Sequence, residues 1–449
     1  KTGETLAMAS FPSYDPNLFS TGISNPDWLS LFPEDSENPL APRPLYNIAT
    51  QTAIQPGSTF KMVTGLAALE KGLNPLLRIR DMGYVTVGNK NFHCLIYTTS
   101  GGTHGYENFY EALRDSCNYY FYTLAIGRNQ RTGQNIGVKL EIEDIVETSK
   151  KLGLNDKTGI EINIPAEVSG GVPDPQRKII TTKYLLKQML QRSISEYIMK
   201  DKEFTVEDVE TAINEIVSWT DMEIPMTRGE VVRRLSEMGI EPELRLSGER
   251  EGLADKIKYT YLNQAGWNIA DTLNVTIGQG QSAYTPIQMA NYVATLANGG
   301  YLNKVTLIES IRDYSNSALL YEHKAEGTLI ELNNYDNLNH VKKGMQMVAE
   351  DGTARRVFAG FPIEVGVKTG TAERSGINPS TGDTYDDFAW FVGFAPFDEP
   401  EIAVAAVLFQ GGSGGYAAPM VRDIIAQYLG LNTPEVQTSL PIEGKLILE

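Results

Sequence analysis

Apolar positions recur along the chain at two spacings, helical at first and alternating later. From Thr59 to Lys71, Phe60, Val63, Leu66, Ala67 and Leu69 follow helical spacing and Gly72 supplies a stop, which predicts a helix with Ser58 at or near its first turn. Tyr84 to Tyr97 carries Gly88-Asn89 between strand-like segments, the pattern of a two-residue hairpin turn. Glu107 to Leu124 reads as two short helical pieces broken near Asp115, and Pro286 to Ala297 as a further helix. In the last third, EVGVKTGTAER, FAWFVGFAP and EIAVAAVLFQ predict consecutive strands joined by turns. Near the start, Thr5–Ser10 reads as a short apolar strand ended by Pro-rich turns, and the Pro-dense stretch Asn38–Pro44 as a surface loop.

Between Gly171 and Tyr261 charge density rises and two helix-start signals appear. Thr205 with Asp208, and Thr227 with Glu230, have capping-box spacing. Val206, Val209, Ile213, Ile216 and Val217 form one apolar stripe; Val231, Val232, Leu235 and Met238 form another, closed by Gly239. The stretch 175–261 therefore reads as a helical insertion within one domain spanning 1–449. It shows no convergent polar cluster, so bulk or a docking surface is expected of it rather than catalysis. Helices around a late antiparallel sheet give an α+β class, the sheet flanked by helices.

With 449 residues, 41% hydrophobic and 21% charged, the chain has ample material for a core. A formal charge of −17 and no clustered Lys or Arg argue against a nucleic-acid partner. No run of about eighteen apolar residues occurs, and the opening KTGETLAMAS lacks the charged start and apolar middle of a signal peptide. The expectation is an internal fragment, with a membrane anchor upstream of Lys1.

Three short clusters carry possible chemistry. Ser58 and Lys61 in QPGSTFK stand one helical turn apart, so a neutral lysine could take the hydroxyl proton, and the helix N-terminus suits an oxyanion. In Ser116-Cys117-Asn118, a locally extended tripeptide would turn Ser116 and Asn118 to one pocket and Cys117 away from it. Lys368-Thr369-Gly370-Thr371 sits in a strand context; its lysine suits a carboxylate, its hydroxyls add hydrogen bonds, and Gly370 admits a ligand to the backbone. Each cluster is commonplace alone: a helix cap explains Ser58 or Ser116, and Lys1-Thr2-Gly3 repeats the third motif where no strand precedes it.

In this order S-x-x-K, S-x-N and K-T-G are the active-site set of penicillin-recognising serine enzymes. The chain resembles the class B penicillin-binding proteins, D,D-transpeptidases of the elongation or sporulation type. TGETLAMASFPSYDPN, YNIATQTAIQPGSTFK, TLNVTIGQGQSAYTPIQMA and KTGTAE extend the resemblance from Thr2 to about Leu429, with the 175–261 stretch as its departure. The resemblance implies the penicillin-binding protein/β-lactamase-like fold and a serine acyl-enzyme. Ser58 would attack the penultimate D-Ala carbonyl of a peptidoglycan stem peptide while Lys61 takes its proton. Ser116 would pass a proton to the leaving amine, and Asn118 would hold the donor amide. Lys368 would tune Ser116 and attract the terminal carboxylate, with Thr369, Gly370 and Thr371 completing that site. The N–H groups of Ser58 and Thr371 would form the oxyanion hole. No cofactor is required for this chemistry. β-Lactam antibiotics would be trapped at the same serine. The resemblance also implies a place at the extracytoplasmic face of the bacterial membrane and a membrane glycosyltransferase as partner, since no polymerising segment is present. A D,D-carboxypeptidase, a β-lactamase and a non-enzymatic β-lactam sensor share the acylation chemistry.

A metal is expected beside this site. With Gly88-Asn89 as the turn, Gly83 lies opposite Cys94, Asp81 joins Cys94 on one face of the ribbon, and His93 points to the other. Asp81, Cys94, His104 and Cys117 then offer four N, O and S ligands suited to a structural zinc. A Cys94–Cys117 disulfide or two free thiols are the alternatives. His323 and His340 are isolated and read as ordinary residues.

Overall fold

The computed structural model describes residues 1–33, 41–162, 166–374, 376–378 and 381–431. These fall into two compact units, Lys1–Val172 with Leu273–Glu449, and Pro173–Thr272.

The larger unit is organised on three antiparallel strands in the order Ile402–Leu408, Phe388–Ala395, Gly366–Ala372, so the last of these, which carries Lys368–Thr371, is an edge strand. Side chains alternate across the sheet. Phe391 joins Val367, Val404, Val421 and Ile425 in one buried cluster, with Val348 from the helix Asp336–Glu350. Trp390 points the other way and donates from Nε1 to the Gln55 carbonyl at 2.8 Å, fixing the chain just ahead of Ser58. Register pairs Trp390 with Gly370 and Val392 with Lys368, so Lys368 and Gly370 share the Trp390 face. The helices Pro286–Ala297 and Ala418–Tyr428 also pack on the sheet.

A tight helical turn, Gly57–Phe60, leads directly into the buried helix Lys61–Glu70, which ends at Gly72 in the left-handed region (φ 92°), as the spacing predicts. The hairpin strands are Tyr84–Val87 and Lys90–His93, and Cys94 N–H donates to the Gly83 carbonyl at 2.7 Å, the expected register. The helical pieces are Phe109–Arg114 and Asn118–Ile126, separated at Asp115–Cys117.

The apolar opening is not a strand: Glu4 alone bridges to Thr306, while Ser10 turns its hydroxyl to the Asn47 side chain at 3.2 Å. Beyond Glu4 this apolar run has no strand partner among the described residues. The loop placed at Asn38–Pro44 lies partly outside the described residues.

The smaller unit is helical, with helices Pro175–Ser193, Val206–Ser218 and Arg228–Glu237 around their own core of Leu186, Leu190, Ile213, Ile216, Trp219, Val231 and Leu235. Thr205 and Asp208 form the full reciprocal capping box. Thr227 caps the next helix from its side only, because the Glu230 carboxylate is taken by Arg233 and Arg234. Val206, placed on the apolar stripe, is the first helical residue and is 87% exposed.

Candidate active site

Ser58 lies in the tight turn Gly57–Phe60 and Lys61 begins the helix proper. Two close approaches lock this turn against the edge strand. Gly57 has φ 54°, and a Cβ on it would collide with the Thr371 carbonyl; a Cβ on Gly370 would lie 2.7 Å from the Pro56 carbonyl. Tyr292 donates to the Thr59 carbonyl at 2.6 Å, holding the turn from a third element. The Thr371 carbonyl faces Gly57, away from the sheet. In an extended strand the N–H of the same residue points to the same edge, so the Thr371 N–H opens beside Ser58.

Lys61 is fully buried, and its ammonium donates to the Ser116 carbonyl at 2.6 Å, to Asn118 Oδ1 at 2.7 Å and to Ser116 Oγ at 3.3 Å. Lys368, also fully buried, donates to Ser116 Oγ at 2.9 Å and to the Thr369 carbonyl at 3.1 Å. Three segments separated widely in sequence thus meet at one hydroxyl. Among the described residues the Ser58 hydroxyl has no hydrogen-bond partner, and Lys61 is engaged by the S-x-N segment instead of by Ser58. Ser58 is partly buried, as are Ser116 and Thr371, but the hydroxyls of those two already accept hydrogen bonds, which leaves Ser58 the most open to a ligand.

The S-x-N segment reaches its geometry differently from the sequence expectation. Ser116 is not extended; its φ is 59°, left-handed for a residue with a Cβ. Cys117 is extended at the head of the helix Asn118–Ile126, and its sulfur accepts from Tyr120 N–H at 3.5 Å. The side-chain outcome is the one expected: Ser116 and Asn118 both reach Lys61, while Cys117 turns away into the interior. Strain of about 1–3 kcal/mol is typical of such a backbone and collects at functional positions. Asn118 also donates from Nδ2 to the His93 carbonyl at 3.4 Å, which leaves the second N–H of the carboxamide for a ligand.

Burial pushes the Lys61 pKa down to about 8. Burial, and then the neighbouring Lys61 charge, hold Lys368 well below its ordinary value. Burial and the neighbouring Lys61 thus weigh against the charged form of Lys368, and a carboxylate entering beside it would favour that form.

Sequence reasoning missed several supports. Thr353 and Thr369 join their hydroxyls at 3.0 Å, and the Gly414 N–H donates to Thr371 Oγ1 at 3.1 Å, orienting both strand hydroxyls. Glu107, 2% exposed and pushed up to about 8 by burial, lies close by. Only the glycine run GGSGG carried a signal, as a place where backbone can approach a strand.

Asp81, Cys94, His104 and Cys117 come together, their ligand atoms all within 4.8 Å of one another. Tetrahedral zinc, with Zn–S about 2.3 Å and Zn–N about 2.0 Å, requires S···S near roughly 3.8 Å and S···N near roughly 3.5 Å. The two sulfurs are 3.9 Å apart and Cys94 Sγ is 3.5 Å from His104 Nδ1, so the donor set fits. A disulfide needs about 2.05 Å, and the two thiols are free. Asp81 Oδ2 is 3.0 Å from His104 Nδ1, while Oδ1 accepts from Gly83 N–H at 2.8 Å, which orients the carboxylate. Bonding to Cys117, opposed by burial and aided by His104, holds the Cys94 thiol below its ordinary value, while burial holds Cys117 above its own. His340 bonds Tyr110 at 2.7 Å, and His323 bonds the Thr2 carbonyl at 3.1 Å, both away from this group.

The model of the penicillin binding protein transpeptidase domain matches residues 1–198 and 214–426. The chain belongs to this family. It is 27% identical to the peptidoglycan D,D-transpeptidase MrdA of Haemophilus influenzae over 99% of its own length and 54% of that protein's. The chain thus spans about half the length of the curated relatives it matches. Among solved structures, it is similar to Pseudomonas aeruginosa PBP2 in complex with WCK 5153, with a TM-score of 0.64 and 26% identity over 95% of this chain and 69% of that one. A chain of a peptidoglycan synthase complex that coordinates polymerization and crosslinking is also similar, with a TM-score of 0.61 and 25% identity over 96% of this chain and 55% of that one. As a family member the chain has the penicillin-binding protein/β-lactamase-like fold, in agreement with the sequence expectation.

Proposed function

We propose that the chain is the transpeptidase part of an elongation-type class B penicillin-binding protein, joining peptidoglycan stem peptides through an acyl-enzyme on Ser58. The observation that carries this reading is the convergence of Lys61, Ser116, Asn118 and Lys368 beside an open serine hydroxyl. In its neutral form Lys61 accepts the Ser58 proton as Ser58 Oγ bonds to the carbonyl of the penultimate D-Ala. The oxyanion takes the Ser58 and Thr371 N–H groups; one such donor contributes about 10²–10³ in rate. The proton returns to the departing D-Ala amine through Ser116, and an amine of a second stem peptide then cleaves the ester. Lys368, Thr369 and Thr371 receive the terminal carboxylate, with Gly370 leaving the strand backbone accessible. No cofactor takes part in these steps.

β-Lactams acylate the same serine and stay there. In this reading the intact protein is anchored to the membrane, faces outward, and works with a glycosyltransferase; the similar synthase complex supports that pairing. Asp81, Cys94, His104 and Cys117 hold a structural zinc whose role is to fix Cys117, and with it the flanking Ser116 and Asn118.

Ser58→Ala is expected to abolish labelling by a fluorescent penicillin with circular dichroism unchanged; surviving label sinks the assignment. With nitrocefin, a transpeptidase stops near one equivalent, whereas continued turnover points to a β-lactamase.

A further inference from the structure

The hairpin beside the active site presents different chemistry on its two faces. Cys94 follows it on the face turned to Asp81, His104 and Cys117, while His93 points the opposite way, as the register requires. There His93 and its cross-strand partner Tyr84 have ring centroids 5.5 Å apart, edge to face. Tyr97 lies nearly parallel to His93, at 5.7 Å and 18°, and 5.5 Å from Tyr84. The Arg131 guanidinium sits 4.4 Å over the Tyr84 ring and backs the group. Gly83, at φ 87°, lets Tyr97 close onto the backbone, since a Cβ there would collide with its ring. His93 is nevertheless exposed, so this fixed aromatic stack is not core packing.

The stack is tied to the site through the His93 backbone. Asn118 donates to the His93 carbonyl at 3.4 Å and accepts from Lys61 at 2.7 Å. Resting on the reading of Asn118 as the holder of the donor amide, we infer that His93, Tyr97 and Tyr84 form a specificity subsite for the substituent on the acyl side of that amide. The chemical class it takes is a flat aromatic or extended aliphatic group lying on the imidazole–phenol stack. Aromatic faces reward such contact, and a stack already fixed by its neighbours loses little freedom on binding.

The test compares second-order acylation constants for benzylpenicillin, which carries a phenylacetyl amide, and 6-aminopenicillanic acid, which has the same nucleus and no acyl substituent. His93→Ala is expected to lower the benzylpenicillin constant about tenfold and change the other by less than about twofold, with His93→Phe restoring the difference. Equal losses on both compounds, or no loss on either, overturn the subsite. Should His93→Ala fail to fold, Tyr97→Leu is read by the same ratio. If neither compound acylates the unaltered chain, the active-site reading itself fails, an outcome distinct from an unchanged ratio.

Discussion

A lysine can serve as a base only after it has lost its own proton, and Lys61 is placed to lose it near neutrality. Burial brings its pKa down to about 8, from the model-compound value of 10.5. Below about 8 the neutral fraction falls by about tenfold for each pH unit. The acylation constant is therefore expected to rise with pH through about 8 and level off above it, as measured by stopped-flow with benzylpenicillin. A rate independent of pH between 6 and 9 removes Lys61 as the base. At this scale the sequence picked out the side chains that the structure brings together but not how the backbone presents them. Ser116 and Asn118 share Lys61 because Ser116 is left-handed, a conformation that RDSCNYY does not announce. Nor does the sequence disclose that Lys368 is held toward its neutral form, because that depends on complete burial beside a second lysine.

At the scale of elements, the hairpin and the S-x-N helix are joined through sulfur. Gly88-Asn89 set the register, the register set the faces, and so the ligand group at Asp81 and Cys94 was legible before any fold was known. Cys117 heads the helix Asn118–Ile126, so whatever binds its sulfur also sets where Asn118 starts. On the zinc reading, the purified chain is expected to carry close to one equivalent by elemental analysis. Cys117→Ser should release that metal and slow acylation about 10–100-fold, the usual cost of disturbing support around a metal. Zinc well below one equivalent in the unaltered chain, without loss during purification, removes the metal. The opening strand failed for the opposite reason: Thr5–Ser10 is a short apolar run, but pairing depends on a distant neighbour that the run itself cannot supply.

At the scale of the whole molecule, the proposed chemistry and the break in the family match, residues 199–213, lie in different units. Every group of the proposed site belongs to 1–172 and 273–449, whereas 173–272 closes a separate core. The two apolar stripes made that helical core readable from spacing, and the family match is broken inside it, between 198 and 214. Leu235 is fully buried there among helices of the same unit. Truncating it leaves a cavity that the neighbours fill only in part, which typically costs about 2–5 kcal/mol. Leu235→Ala is therefore expected to bring forward an unfolding transition of the helical unit in a thermal scan. Labelling of Ser58 by a fluorescent penicillin, measured below that transition, should keep its rate, because no side chain of the site draws on this core. A loss of labelling in the still-folded variant would mean that the insertion supports catalysis, contrary to the passive role its lack of a convergent polar cluster implies.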